Sequence, residues 1–333
     1  MKVCVVGAGA WGTALADLLA KGGNEVLLWS FEEDVFRSIR EGRENPYLPG
    51  VELAPTLETT LDLAGAVCGA EVVVSVSPSQ FVGRVMGEAA THMAPDALLV
   101  SASKGIEMRT LRRMDEVLGG LMPRSVMDRF CVLSGPSFAT EVARGEPTAV
   151  VVASADAESA KRAQALFQTP FFRVYTNPDV VGVELAGALK NVIALAAGTA
   201  AGLGFGHNTL AALITRGLAE MTRLGVAMGA DKATFSGLAG MGDLVLTCTG
   251  SLSRNRTVGY RLGKGESLEE ILSDMKAIAE GVKTAEAVHA LASRHGVEMP
   301  IAGQVYAIVH GGLPPSEALR ALMRRDPKPE EWS

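Results

Sequence analysis

The chain has 333 residues, of which 48% are hydrophobic and 20% are charged. This length and composition are typical of a globular protein of two domains and exclude the disordered and fibrous classes. A net charge of −6 argues against a nucleic-acid partner, because binding to a phosphate backbone depends on clustered Lys and Arg. The cysteines have no metal-ligand spacing, so we expect reduced core thiols and no metal. They are Cys4, Cys68, Cys131 and Cys248.

Two apolar stretches bear on location and membrane attachment. Residues 1–12 hold one lysine and an apolar run, but glycines interrupt the run and no signal-peptide cleavage pattern follows, so we expect a cytoplasmic protein. Residues 180–204 contain Glu184, Lys190 and Asn191, whose polar groups would be costly at a bilayer centre. We therefore predict a buried helix there and no stable membrane insertion.

In the first half of the chain, short apolar runs alternate with helical patterns, which predicts βαβ units and a mostly parallel sheet. The near-continuous apolar character of the runs is typical of a sheet that is covered on both faces. Helices are predicted at residues 12–21 and 80–92, among others. The predicted strands are residues 2–6, 25–29, 72–76, 98–101, 130–133, 148–153 and 172–175.

The pattern changes after Asn177 and Pro178. Residues 179–333 contain long stretches rich in Ala, Leu and Met and no convincing strand, which predicts an all-helical second domain. We interpret the last ten residues, 324–333, as a frayed tail. Helix breaks are predicted at residues 202–206, 237–242, 250–255 and 311–315.

A glycine motif lies between the first predicted strand and the first predicted helix. Gly7, Gly9 and Gly12 form the pattern G-x-G-x-x-G. In this context the first glycine permits a tight turn, the second lets the backbone approach a pyrophosphate, and the third lets the helix pack on the strand. The motif predicts a doubly wound, Rossmann-type α/β domain over residues 1–178 that binds NAD or NADP. The alternative is a glycine-rich turn without a ligand.

Candidate ligand-binding groups follow two later strands. Lys104 comes after the predicted strand at residues 98–101, so it should lie at the carboxyl edge of the sheet, where open α/β sheets bind ligands. The alternative is an ordinary surface lysine. Residues 134–141, SGPSFATE, also end a strand, and their small side chains would let the backbone approach nicotinamide or substrate.

Lys190 stands in a helical pattern whose other residues are nearly all apolar, in VELAGALKNVIALAAG. A buried ammonium without partners is costly, and desolvation lowers the pKa of a lysine towards the range of acid–base catalysis. The alternative is a lysine that reaches water along the edge of the helix. Its neighbour Asn191 is interpreted as binding substrate or satisfying backbone groups.

A polar run follows in GLAGMGDLVLTCTGSLSRNR, which we interpret as a loop-rich stretch. Arg254 offers a planar fork for a phosphate, Asn255 an amide donor, and Asp243 a carboxylate that could orient an ammonium or a hydroxyl. Thr247 and Ser253 lie in the same run. The alternative is a solvated polar loop without a ligand.

At this point the chain resembles the bacterial NAD(P)-dependent glycerol-3-phosphate dehydrogenases nearly end to end. The resemblance implies a homodimeric oxidoreductase that interconverts sn-glycerol 3-phosphate and dihydroxyacetone phosphate and supplies the former for phospholipid synthesis. The segments that carry it are GAGAWGTALA, SASKGIE, LSGPSFATEVARGEPTA, GALKNVIALAAG, GMGDLVLTCTG, SRNRTVG and AEGVKTA.

The resemblance also implies residue roles. Lys190 would be the catalytic proton acceptor, and Lys104 would contact both cofactor and substrate. The other implied substrate-binding residues are Gly135, Ser137, Asn191, Asp243, Ser253, Arg254 and Asn255, with Thr247 as a weaker candidate. The implied cofactor-binding residues, which include the three motif glycines, are Gly7, Gly9, Ala10, Trp11, Gly12, Phe31, Glu32, Lys104, Ala139, Arg254 and Glu280.

The chain departs from the family pattern after the second predicted strand. Many relatives carry an arginine or histidine where this chain has Phe31 and Glu32. A carboxylate near the adenosine ribose would repel a 2′-phosphate, so Glu32 and the missing arginine favour NAD over NADP. The spacing is loose, and the alternative is that Glu32 is a solvated residue or begins the next helix.

Two rival functions share some of these features. A related two-domain reductase of hydroxyacids or ketoacids would have the glycine motif and a lysine in its helical domain, but the SRNR segment argues against it. A non-catalytic NAD(P) sensor or scaffold would need the motif but would have no use for Lys190 and Asp243.

Overall fold

The computed structural model describes residues 1–275 and 279–330. The chain forms two compact units. Unit 1 consists of Met1–Glu107 and Arg112–Val180, and unit 2 consists of Met108–Leu111 and the chain from Val181 onward. Unit 2 therefore includes a four-residue segment whose neighbours in sequence, on both sides, belong to unit 1.

Unit 1 is built on an eight-stranded sheet with the order β3-β2-β1-β4-β5-β6-β7-β8. Neighbouring strands are parallel except for the antiparallel pair β6 and β7. The predicted Rossmann-type α/β fold is confirmed, and the predicted strands are found within two residues at each end. The strands are β1 Lys2–Val6, β2 Glu25–Trp29, β3 Glu58–Thr60, β4 Val72–Ser75, β5 Leu98–Ser101, β6 Cys131–Ser134, β7 Thr148–Ala153 and β8 Phe172–Asn177.

The helices of unit 1 lie between the strands in chain order. The side chains of Val5, Val74 and Val100 belong to the same buried cluster as Leu15 and Leu19 of the first helix. Burial of these apolar side chains is what fixes the helix to the sheet. The helices are α1 Ala10–Lys21, α2 Glu33–Gly42, α3 Leu63–Val67, α4 Ser79–Ala90, α5 Met114–Gly119, α6 Arg124–Met127, α7 Ala139–Ala143 and α8 Ala157–Phe167.

The strand order reverses at β1, which pairs with β2 on one side and with β4 on the other. In open α/β sheets, ligands bind beyond the carboxyl ends of the strands at such a reversal. The glycine motif follows β1 at this point.

From Val181 onward, the described residues of unit 2 form helices joined by turns and loops and no strand, as the sequence predicts. Two irregular turns, the 3₁₀ segment Lys232–Ser236 and the π-helical segment Leu238–Gly242, precede its third helix. The helices are α9 Val180–Gly202, α10 His207–Ala227, α11 Asp243–Thr249, α12 Arg254–Gly263, α13 Leu268–Ser273, α14 Glu280–His295, α15 Pro300–Gly311 and α16 Pro315–Met323.

One predicted helix break is only partly right. Gly237 is extended, but residues 238–242 form the π-helical turn, which runs directly into α11. A Cβ on Gly240 would lie 2.1 Å from the carbonyl oxygen of Phe235, so this glycine permits close packing and does not end a helix. The predicted loop-rich stretch is wrong for the same reason, because Asp243 lies on α11 and Arg254 lies on α12.

Helix α9 is the core helix of unit 2. It is long and apolar enough to cross a membrane by length and composition, but 83% of its apolar window is buried in the protein. Helix α9 crosses α12 at very short range, because glycines on each helix contact the backbone of the other. A Cβ on Gly198 would lie 2.0 Å from the carbonyl oxygen of Arg256, and a Cβ on Gly259 would lie 2.1 Å from that of Leu195. Only glycine fits at these two positions.

Residues 324–330 of the predicted tail are exposed and form no helix or strand, but side-chain contacts attach them to the rest of unit 2. Arg325 forms an ion pair with Glu298, and Lys328 forms another with the same carboxylate at 2.7 Å. Arg216 also donates a hydrogen bond to the carbonyl oxygen of Glu330 at 3.0 Å. Residues 331–333 of the predicted tail lie outside the described residues.

Three of the four cysteines are core thiols, as predicted, and Cys68 is not, because it is exposed. Burial raises the pKa of Cys4, Cys131 and Cys248 to about 12. These thiols therefore stay protonated at neutral pH.

Candidate functional site

The glycine motif has the geometry of a dinucleotide-binding loop. Gly7 adopts a φ of 123°, which only glycine adopts without strain. A Cβ on Gly12 would lie 1.9 Å from the carbonyl oxygen of Gly7, so this glycine allows α1 to pack against the end of β1. Around Gly9, in contrast, no heavy atom lies within 4 Å of an added Cβ. The loop is therefore tight where helix meets strand and open where a pyrophosphate would approach, and the residues present fit NAD or NADP.

Asn45 supports this loop, and the sequence analysis did not identify it. Its side-chain amide donates hydrogen bonds to the carbonyl oxygen of Ala8 at 2.8 Å and to the hydroxyl of Thr13 at 2.7 Å. All three residues are buried. A lone asparagine far from the motif in sequence gives no signal, because only the fold brings it beneath the loop.

The residues after β2 lie at the same edge of the sheet. Phe31 is 67% exposed, and Glu32 is the N-cap residue of α2. The Tyr47 hydroxyl donates a hydrogen bond to the Glu32 carboxylate at 3.4 Å. Burial, and then the charge of Glu32, raises the pKa of Tyr47. The guanidinium carbon of Arg84, on α4, lies 5.6 Å from the Phe31 ring centroid.

Lys104, Gly135 and Ser137 meet at one carbonyl group. The Lys104 ammonium donates a hydrogen bond to the carbonyl oxygen of Gly135 at 3.3 Å, and the Ser137 hydroxyl donates to the same oxygen at 3.1 Å. Gly135 has a φ of 132°, and a Cβ there would lie 3.0 Å from Val150 Cα. This backbone conformation brings together three predicted site residues from the ends of β5 and β6.

Lys190 is buried, with 7% of its surface exposed, so the alternative of a lysine that reaches water is wrong. Its ammonium donates to the Asp243 carboxylate at 2.6 Å and to the Thr247 hydroxyl at 2.9 Å. The Thr247 hydroxyl in turn donates to the Asp243 carbonyl oxygen at 2.6 Å, which directs its lone pairs towards the lysine. The ion pair and the hydrogen bonds compensate for the cost of burying this charge. Three predicted residues thus form one polar cluster inside an apolar helical core.

Local structure explains why Asp243 faces Lys190. The π-helical turn Leu238–Gly242 ends immediately before Asp243, and the amide of Gly242 donates to the carbonyl oxygen of Gly237 at 3.1 Å. Asp243 and Thr247 are one helical turn apart on α11, so their side chains lie on the same face. π-Helical turns are frequent at functional sites because they shift the helix face that follows.

Asn255 and Asn191 lie close to the start of α14. The amide of Gly281 donates a hydrogen bond to the side-chain oxygen of Asn255 at 2.9 Å, and a Cβ on Gly281 would lie 2.7 Å from the carbonyl oxygen of Asn191. The first contact orients the Asn255 amide, because its oxygen is engaged and its NH₂ group is left as the donor. Three helices, α9, α12 and α14, therefore converge at this point.

The remaining predicted residues of unit 2 lie at the starts of α12 and α14. Ser253 is the N-cap of α12, and its hydroxyl accepts the amide of Arg256 at 3.2 Å, so this side chain has a structural use. Arg254 is the first residue of α12 and its side chain is exposed. Glu280, partly exposed, begins α14. The N-terminus of α12 thus presents an arginine and an oriented amide beside the helix amides, which together favour an anion.

The remaining predicted residues of unit 1 lie at two helix starts. Ala10 and Trp11 are the first two residues of α1, and Ala139 is the first residue of α7. The Trp11 ring packs against the core of unit 1, and its indole N–H is buried without a hydrogen-bond partner among the described residues.

Comparisons with protein-family models match both halves of the chain. The model for the N-terminus of NAD-dependent glycerol-3-phosphate dehydrogenase matches residues 2–160, and the model for its C-terminus matches residues 179–320. These matches favour the dehydrogenase over the reductase of hydroxyacids or ketoacids.

Similar proteins agree over the full length. A curated relative from Geobacter metallireducens, named glycerol-3-phosphate dehydrogenase (NAD(P)+), is 60% identical over 330 residues, which cover 99% of this chain and 98% of the relative. A relative of the same name from Geobacter sulfurreducens is 57% identical and covers 99% of both chains. The crystal structure of glycerol-3-phosphate dehydrogenase from Coxiella burnetii has a TM-score of 0.92 at 39% identity and covers 97% of this chain and 98% of that one.

Proposed function

Because the chain belongs to the NAD-dependent glycerol-3-phosphate dehydrogenase family, we propose that it interconverts sn-glycerol 3-phosphate and dihydroxyacetone phosphate with NAD or NADP. The observation that carries the mechanism is the buried cluster of Lys190, Asp243 and Thr247. An ammonium positioned by a carboxylate can donate a proton to a ketone, and the neutral amine that it becomes can accept a proton from an alcohol.

The nicotinamide cofactor supplies the hydride acceptor or donor. In the oxidative direction, Lys190 Nζ accepts the proton of the C2 hydroxyl. The ammonium that results is stabilised by the Asp243 carboxylate at 2.6 Å and the Thr247 hydroxyl at 2.9 Å, so the charge that develops has partners already in place. In the reductive direction, the same ammonium polarises the ketone and returns the proton.

The N-terminal end of α12 is the proposed phosphate site. Arg254 provides a planar guanidinium, Asn255 provides an NH₂ group oriented by Gly281, and the helix amides add their dipole. Contacts to the phosphate orient C2 without taking part in the chemistry, so binding energy far from C2 lowers the barrier to reaction. Asp243 and Asn191 line the same part of unit 2.

Unit 1 supplies the cofactor site. The residues proposed to hold NAD or NADP are those of the glycine motif with Ala10 and Trp11, and also Phe31, Glu32 and Ala139. The family resemblance implies the same role for Arg254 and Glu280. Lys104 and Ser137, joined through the carbonyl of Gly135, are proposed to contact substrate, and Lys104 also the cofactor. We accordingly assign residues 1–178 as the dinucleotide-binding domain and residues 179–333 as the catalytic domain.

The family resemblance alone supports three further parts of the proposal. These are a homodimer, a cytoplasmic location, and supply of sn-glycerol 3-phosphate for phospholipid synthesis.

The proposed function is tested by oxidation of NADH and NADPH with dihydroxyacetone phosphate, with dihydroxyacetone, and without substrate. We expect turnover that depends on the phosphorylated ketone. Arg254→Ala should raise KM for dihydroxyacetone phosphate, since a charge-assisted phosphate contact contributes about 1.5 to 3 kcal/mol. Equal turnover of the two ketones by the wild type would contradict the phosphate site, and no turnover with either would contradict the activity.

A further inference from the structure

Arg84 of α4 lies beside two exposed aromatic rings in unit 1. Its guanidinium carbon is 5.6 Å from the ring centroid of Phe31 and 5.8 Å from that of Phe81. Phe31 is 67% exposed and Phe81 is 42% exposed. A planar guanidinium stacks favourably on aromatic faces, so the two rings hold this cation in one place while its N–H groups stay accessible.

The place is the adenosine end of the dinucleotide site. Phe31 follows β2, and α4 follows β4, so both reach the carboxyl edge of the sheet on either side of β1 and its glycine motif. In this fold the residues after β2 are those that contact the adenosine ribose, and a nearby arginine accommodates a 2′-phosphate.

The charges around this point favour an anionic ligand for Arg84. The nearby acid, Glu32, accepts the hydrogen bond from Tyr47. Among the residues described, no carboxylate forms an ion pair with Arg84. A positive charge that is held by aromatic rings and has no anionic partner is suited to bind a phosphate.

We propose that Arg84 is the residue that lets this chain accept NADP, by binding the 2′-phosphate on the adenosine ribose. The inference rests on the proposed function, because it assumes that the loop holds NAD or NADP. It bears on the expected preference for NAD over NADP, because Arg84 supplies from α4 a cation near Phe31 that the residues after β2 lack.

Direct binding tests this assignment. Isothermal titration calorimetry would compare adenosine 2′,5′-bisphosphate with AMP on the wild type, Arg84→Ala, Arg84→Lys and Arg40→Ala. Arg40 is the matched control, because it also lies over an aromatic ring, that of Phe36 at 5.7 Å, but on the later turns of α2. The ratio of kcat/KM for NADPH to that for NADH would be measured on the same variants.

We expect Arg84→Ala to lower the affinity for adenosine 2′,5′-bisphosphate about tenfold or more, as for loss of a charge-assisted contact. The affinity for AMP should change by less than about twofold. Arg84→Lys should retain part of the affinity, and Arg40→Ala should match the wild type. The NADPH to NADH ratio should fall with the bisphosphate affinity.

Equal losses for both nucleotides, or no loss for either, would overturn the assignment of Arg84 while leaving the proposed function intact. The assignment would also be overturned if the wild type bound AMP and adenosine 2′,5′-bisphosphate with equal affinity. If the wild type bound neither nucleotide, the proposed function would fail as well.

Discussion

At the scale of single residues, Lys190 has the clearest chemical role. Its ammonium is buried, and a carboxylate and a hydroxyl compensate for the cost of that burial. A hydrophobic side chain would fill the same space without needing either partner. The retention of a charge at this position is consistent with the proposed role in proton transfer.

Lys190→Met should retain the fold and the affinity for NADH while lowering kcat for dihydroxyacetone phosphate by about 10²- to 10⁴-fold, the usual contribution of general acid–base catalysis. Methionine keeps most of the side-chain volume and removes the ammonium. Cofactor affinity would be followed by fluorescence titration and kcat by steady-state kinetics.

Lys232→Met is the control, because Lys232 is an exposed lysine in the same unit. It should behave as the wild type in both measurements. A Lys190→Met variant with near wild-type kcat would remove this lysine from the mechanism.

The sequence predicts some of these residues better than others. Lys190 stands out because a charge interrupts an apolar helix, and that signal is local. Asp243 could be named as a carboxylate for an ammonium, but it lies 53 positions after Lys190, and its pairing with that lysine depends on a π-helical turn. Asn45 and Arg84 lie far in sequence from the residues that they contact, so their sequence neighbours give no indication of a role.

At the scale of elements, the crossing of α9 and α12 sets the position of the catalytic groups. Lys190 lies on α9, and Arg254 and Asn255 lie on α12. Glycines on both helices bring the backbones into contact. The crossing therefore fixes the distance between the proposed proton-transfer group and the proposed phosphate site.

Gly259→Ala should lower the free energy of unfolding by about 1 to 3 kcal/mol or more, because overpacking forces the backbone to shift. The added Cβ would lie 2.1 Å from the carbonyl oxygen of Leu195. It should also lower kcat/KM by moving α12 relative to α9. Denaturant unfolding and steady-state kinetics would measure the two effects.

Gly303→Ala on α15 is the matched control, since no atom lies within 4 Å of its added Cβ. It should raise the free energy of unfolding by about 0.4 to 1 kcal/mol, because alanine restricts the unfolded chain. If the two variants had the same stability, the close crossing would not be a packing constraint.

Glu220 of α10 caps the N-terminus of α15. The buried Glu220 carboxylate accepts the amides of Ile301 at 2.7 Å and Ala302 at 3.1 Å. Burial raises the pKa of Glu220 from 4.5 to about 7, while these hydrogen bonds and the charges of Arg223 and Arg325 oppose the rise. The folded state thus holds this proton more strongly than the unfolded state does.

The contribution of Glu220 to stability is therefore fully present below pH 4.5 and is lost as the pH rises through about 7. Relative to Glu220→Gln, which does not titrate, the wild type should lose on the order of 3 kcal/mol across that interval. Denaturant unfolding of both proteins at pH 5 and pH 8 would measure this. A difference between them that does not change with pH would contradict the role of Glu220.

Sequence patterns predict the regular elements well and the irregular ones poorly. The apolar strands were found because burial on both faces selects continuous apolar runs, whereas β3 was missed because Glu58–Thr60 is short and polar. Glycine is ambiguous in the same way. It ends α9 at Gly202, as predicted, but at residues 237–242 it permits tight packing within a helical run.

At the scale of the whole molecule, the residues proposed for the chemistry are distributed over the two units. Unit 1 holds the glycine motif and the Lys104 group, and unit 2 holds the lysine cluster and the proposed phosphate site. The βαβ alternation and the later helical pattern predict these two architectures from sequence. The identity of the substrate could not be obtained from those patterns and came from the resemblance of specific segments.

The measurement that tests the central claim most directly is isotope transfer. Dihydroxyacetone phosphate would be reduced with NADH that carries deuterium at the transferable position of nicotinamide C4, and the product would be analysed by NMR. We predict that deuterium appears at C2 of sn-glycerol 3-phosphate in the wild type and at a strongly reduced rate with Lys190→Met. Product without deuterium at C2, or no product from the wild type, would contradict the account.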